Sequence, residues 1–172
     1  LYVDRENSLV RRIRFTLDAA TRLYFDTLTD NSRLRWTLTG PRGTEVSDRS
    51  MQSSDSNDGL SILDLIAGDY VLAIDGSGDA TGEYGFRLLD FANAAAMPLD
   101  TNVSGTLTPA NETDLYRFDA TADDRLYFDV IEATGGAPYW RLIDPFGRVV
   151  WGQNYIPSDD VQLQTMAFTG TY

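Results

Sequence analysis

The sequence predicts an all-β protein of the antiparallel β-sandwich type, and three observations lead there. Apolar and polar residues alternate with the two-residue period of strands that bury one face. Clusters of Gly, Pro, Asn, Asp and Ser interrupt these runs at short intervals, as sandwich hairpins require. A block of about a hundred residues then recurs, so the same fold is expected twice.

The elements follow in chain order. Ile13, Phe15 and Leu17 alternate with Arg14 and Thr16, which predicts a strand with one buried face. Arg22 leads into the Leu23–Asp26 strand. Trp36 and Leu38 alternate with Arg35, Thr37 and Thr39, and Gly40-Pro41-Arg42-Gly43 supplies the turn after them. A second turn cluster is Asp55-Ser56-Asn57-Asp58-Gly59. Tyr70, Leu72 and Ile74 form one further alternating run, and Tyr84, Phe86 and Leu88 another. The turn-rich Gly76–Thr81 segment joins them. Residues 91–99 read as a connection.

The repeat is direct. Arg22-Leu23-Tyr24-Phe25-Asp26 returns as Arg125-Leu126-Tyr127-Phe128-Asp129, an offset of 103, and Arg14-Phe15 returns as Arg117-Phe118. Trp36, Leu38, Pro41 and Gly43 return as Trp140, Leu142, Pro145 and Gly147 at an offset of 104, and Gly68-Asp69-Tyr70 matches Gly170-Thr171-Tyr172. The expected domains are a first module over 1–91, a connection over 92–103, and a second module over 104–172. The second copy has no counterpart of the runs after Tyr70. Together with the opening on Leu1, this leads to the expectation of a piece of a longer chain with a truncated second sandwich.

Composition excludes several chemistries. All fourteen basic residues are arginine, and lysine, histidine and cysteine are absent. That removes disulfides, thiol nucleophiles, thiolate or imidazole metal sites, histidine-based triads and lysine Schiff bases. The 26 acidic residues, only five of them Glu, give a formal net charge of −12. Such a charge opposes binding to nucleic acid or anionic lipid, and no apolar run is long enough to span a membrane as a helix. An Asp-rich chain without cysteine fits an extracellular or cell-surface bacterial protein, with calcium as the candidate cofactor.

The assembled pattern resembles the bacterial pre-peptidase C-terminal (PPC) domain and its relatives in very large repeat proteins. The likeness rests on Val103-Ser104-Gly105-Thr106-Leu107, Glu112-Thr113-Asp114-Leu115-Tyr116-Arg117-Phe118 and Leu126-Tyr127-Phe128-Asp129. Arg141-Leu142-Ile143-Asp144-Pro145-Phe146-Gly147-Arg148 and Gly170-Thr171-Tyr172 extend it. In the first copy, Gly68-Asp69-Tyr70 and Gly82-Glu83-Tyr84-Gly85-Phe86 complete it. One departure is that Arg11 stands where the second copy has Asp114. The resemblance implies tandem jelly-roll-like antiparallel sandwiches that are non-catalytic and serve as spacers, stabilisers or binders of matrix polymers. Some relatives bind calcium.

Candidate sites follow from side-chain chemistry. Asp55, Asn57 and Asp58 form part of an oxygen-rich loop, and Asp75 and Asp79 flank a flexible Gly-Ser-Gly turn; both sets suit calcium. The bland reading of each is a solvated acidic turn. Trp36 and Trp140 recur inside strands and are expected in the core. Trp151, opposite Ser47 at an offset of 104, and Tyr155, opposite Met51, are particular to the second copy. They are the candidates for a polysaccharide-stacking platform or a local apolar cap. Paired carboxylates suffice for glycoside hydrolysis, but a sandwich of about a hundred residues leaves little room for a deep cleft. Arg22 and Arg125 are expected to pair with strand-end carboxylates.

Three functions compete. The expected one is a non-catalytic extracellular spacer or adhesive module whose partners are neighbouring repeats. The others are a polysaccharide- or matrix-binding module, and a self-assembling subunit that completes its neighbour's sandwich with donated strands.

Overall fold

A computed structural model describes residues 2–3, 10–52, 54–55, 61–136, 138–155 and 161–172. Among the described residues the chain is all β apart from one short 3-10 turn at Phe91–Asn93. It forms two compact units, the first comprising 1–93 with 107–113 and the second 94–106 with 114–172. The segment 107–113 therefore belongs with the first unit. Among the described residues no helix is long and apolar enough to cross a membrane.

The described residues of the first unit hold eight strands: β1 (Tyr2–Val3), β2 (Arg11–Leu17), β3 (Thr21–Thr27), β4 (Leu34–Gly40), β5 (Gly43–Ser50), β6 (Ile62–Leu65), β7 (Gly68–Gly76) and β8 (Phe86–Asp90). One antiparallel sheet runs β1-β2-β7-β4-β5 and the other β6-β3-β8. Leu23, Phe25, Leu63 and Leu65 from the smaller sheet share one core with Trp36, Leu38, Tyr70, Leu72 and Ile74 from the larger. Phe25 stacks on Trp36 with ring centroids 3.8 Å apart and on Phe86 at 5.3 Å. The alternating runs in β2, β4 and β7 turn their apolar sets to this core. The central strand β3 departs from one-faced burial, because Leu23 to Thr27 are buried without interruption. Its second face carries Tyr24 and Asp26, and something must cover them.

The second unit holds β9 (Ala95–Ala96), β10 (Tyr116–Arg117), β11 (Asp119–Ala120), β12 (Arg125–Phe128), β13 (Tyr139–Ile143), β14 (Val149–Tyr155), β15 (Val161–Thr165) and β16 (Gly170–Thr171). Among the described residues they form four two-stranded ladders, β9–β10 parallel and β11–β16, β12–β15 and β13–β14 antiparallel. Phe118, Ala120, Leu142, Met166 and Tyr172 make a separate, smaller core.

The two units repeat each other's contacts. Thr16 pairs with Asp69 across β2–β7, and its hydroxyl donates to the carboxylate at 2.6 Å. At the matching rung of β11–β16 the two residue types are exchanged: Thr171 donates to Asp119, also at 2.6 Å. Tyr70 donates its hydroxyl to Ile66 O and stacks on Phe15, while Tyr172 donates to Phe168 O and stacks on Phe118. Gly68 and Gly170 hold φ of 141° and 150° against Pro41 and Pro145, where any Cβ would strike the proline ring.

Candidate functional site

Among the described residues, the largest gathering of buried charge lies on the second face of β3. Antiparallel register places Asp26 directly opposite Arg87 of β8. The Asp26 carboxylate is fully buried, with Oδ2 accepting from Arg87 Nε at 2.6 Å and Oδ1 from Thr113 N at 3.1 Å. Arg87 also donates to Glu112 Oε1 at 3.2 Å and to Thr113 O at 2.9 Å, and Asn111 donates to Thr27 O at 3.2 Å. These bonds fix the 111–113 stretch over β3. Asp55 closes the other flank: its carboxylate accepts from Thr27 N at 3.0 Å, and its carbonyl accepts from the Tyr24 hydroxyl at 3.1 Å. Burial, with a further push from neighbouring Asp26, raises the Asp55 carboxyl to about 6.

The cluster ties β3 to β8 and to the 111–113 stretch. Both oxygens of Asp26 are engaged by donors on β8 and on 113, and a single guanidinium bridges two carboxylates. A buried ion pair of this kind stays favourable only while every partner is held in place. Sequence reasoning missed Asp26, Arg87 and Glu112. A signal was present: Ser54-Asp55 recurs as Ser158-Asp159 at the offset of 104, and Asp26 recurs as Asp129.

The predicted calcium ligands fall differently. Asp55 is in the buried cluster just described, whereas Asp75 and Asp79 are exposed, and the Asp75 carboxylate accepts from Gly76 N at 2.8 Å. Asn57 and Asp58 lie outside the described residues. Among the described residues no three acidic side chains converge on one point that would hold an ion.

Trp151 pairs with Leu142 in the β13–β14 ladder, as Val46 pairs with Leu38 in β4–β5. The turn before β14 holds one residue more than the turn before β5, so Val149 faces Ile143 as Thr44 faces Thr39, and Trp151 is the counterpart of the core residue Val46 rather than of Ser47. Its indole is partly buried and packs edge-on against Phe128 at 5.6 Å and Trp140 at 5.5 Å. The backbone of Tyr155 pairs with Tyr139, and its side chain lies outside the described set. Trp36 Nε1 donates to Ser54 Oγ at 2.7 Å, whereas Trp140 Nε1 and Trp151 Nε1 are buried with no partner among the described residues.

The arginines sort by partner. Arg22 pairs with Asp64 at 2.6 Å across β3–β6, but Arg125 faces Thr165 at the matching rung. Asp144 heads the turn before β14, accepting from Phe146 N, Arg148 N and Arg148 Nε at 2.7–2.9 Å. Burial pushes that carboxyl up, yet these donors outweigh it and hold Asp144 below the usual carboxylate range. Arg148 also lies over the rings of Phe146 and Phe168, beside an open cavity of about 310 Å³. With this geometry in hand, comparison with protein-family models, curated proteins and solved structures finds no match.

Proposed function

We propose that this chain is a non-catalytic repeat module of a large extracellular bacterial protein, a spacer or adhesive segment of tandem jelly-roll-like β-sandwiches. The observation that carries this reading is the recurrence of the same cross-strand fixings in both units. These are the Thr–Asp pair, the tyrosine-to-carbonyl bond and the glycine set against proline. A module that bears load needs its own internal ties, and each unit carries a set. The buried carboxylates support a structural rather than a catalytic role, since Asp26 and Asp55 are already bonded to protein donors. Trp151 packs against Phe128 and Trp140, which speaks against a stacking platform at that residue.

Calcium stiffening belongs to the same proposal. Acidic turns such as Asp75–Asp79 repel one another, and a divalent cation bridging them would relieve that repulsion. The test is to stretch single molecules held at their two ends, once in millimolar calcium and once in EDTA. Two unfolding events are expected, each releasing on the order of 200–350 Å of chain, at higher force in calcium. One event without resolvable resistance would overturn the spacer reading, and coincident traces would remove calcium from it.

A further inference from the structure

We propose that the buried pair Asp26–Asp55 is a proton-controlled latch in the first unit. The stretch 111–113 is held against β3 while Asp55 carries a proton, and is let go when that proton leaves.

The geometry calls for the proton. Asp26 is fully buried, and its two oxygens accept from Arg87 Nε and Thr113 N. Asp55 is 7% exposed and faces Asp26 closely enough for the two side chains to share a hydrogen bond. Ionised carboxylates only accept, so that bond exists only while one of the pair is protonated. Asp26 already engages both oxygens with other donors, which leaves the proton to Asp55.

The charged and titratable groups of the cluster come from each element packed on it. β3 brings Asp26 and the Tyr24 hydroxyl, β8 brings Arg87, and the 111–113 stretch brings Glu112. Ionised Asp55 loses its bond to Asp26 and sets a second buried negative charge beside it. Burial first, and Asp26 after it, raise the Asp55 carboxyl from 3.8 to about 6. The closed latch therefore binds the proton more tightly than an open, hydrated one, and closure weakens as pH rises between those values.

Water relieves the repulsion, and it enters where the cover is held least. On the Asp55 side, Met51 and Ser54 are buried in the core and Ser54 Oγ accepts from Trp36 Nε1. On the other side, Asn111 is exposed, Glu112 and Thr113 are half-buried, and none of the three lies in a strand. Of the four described bonds that hold this stretch to β3 and β8, three run through Asp26 or Arg87. The chain passes from Thr113 directly to Asp114 of the second unit, so the latch sets how firmly the first unit holds its outgoing chain.

Amide exchange of the full chain at pH 4 and pH 7 tests this, with each rate corrected for intrinsic exchange. Thr113 N donates to Asp26 and reports the latch, Thr27 N donates to Asp55 and reports the opposite flank, and Phe25 N reports the sheet. Protection of Thr113 is expected to fall by about tenfold or more at the higher pH, with Thr27 and Phe25 changing far less. In Asp55→Asn, which keeps an acceptor and cannot ionise, Thr113 is expected to stay protected at both. Constant protection of Thr113 in wild type, or a loss that survives in Asp55→Asn, overturns the proposal. Loss at Thr27 with Thr113 retained puts the release on the Asp55 side and overturns it too. Equal loss at all three amides is unfolding of the unit rather than release of a latch, and also overturns it. The wild-type comparison of these amides decides without the variant.

Discussion

Asp55 shows how a single residue joins sequence, packing and pH. Its folded carboxyl titrates near 6 against an ordinary value of 3.8. Between those values the folded chain holds a proton that the unfolded chain has lost, so stability falls as pH rises through this window. Asp55→Asn keeps an acceptor for Thr27 N and removes the ionisation. The variant is expected to melt close to wild type near pH 4 and several degrees above it at pH 7. A gap that stays constant across that range would sink this account of Asp55. The residue was singled out from the sequence as an oxygen ligand in an acidic loop, because a loop Asp followed by Asn and Asp reads as solvated. What the sequence hid was the cover: Tyr24, Thr27 and Asp26 come to it from a strand about 30 positions upstream.

At the level of elements, the exchanged Thr–Asp rungs give the most economical test of the repeat. The second unit already places Asp on β11 and Thr on β16, the reverse of β2 and β7. Thr16→Asp alone sets two carboxylates opposite each other and is expected to cost about 0.5–1 kcal/mol. Adding Asp69→Thr restores the pair in its second-unit order. Urea midpoints for the double variant are therefore expected to return to wild type, and a double variant no better than Thr16→Asp would show that the rungs are not equivalent. Most strands were legible in the residues, because alternation at β2, β4 and β7 depends only on which face meets the core. β3 was legible as a strand but the burial of its second face was not, since that face is covered by the Asp26–Arg87 tie and by residues 111–113. Trp151 was misaligned by one for a local reason: five residues separate Ile143 from its partner Val149, whereas four separate Thr39 from Thr44, and an offset of 104 carried past Gly147 misses the extra one.

For the whole molecule, the account holds that two copies of one design sit in a single chain, each with its own core, and that the first carries a closed buried ion cluster. The repeat was visible from five consecutive identities, but the extent of each unit was not. The bonds of Asn111, Glu112 and Thr113 to β3 and β8 assign 107–113 to the first unit, although that stretch opens the second copy in sequence. Scanning calorimetry of the full chain at pH 4.5 and pH 7.5 tests this most directly. The account predicts two resolvable transitions, one of which drops at the higher pH in wild type and holds its position in Asp55→Asn. A single cooperative transition, or two that respond alike to pH and to the substitution, would contradict it.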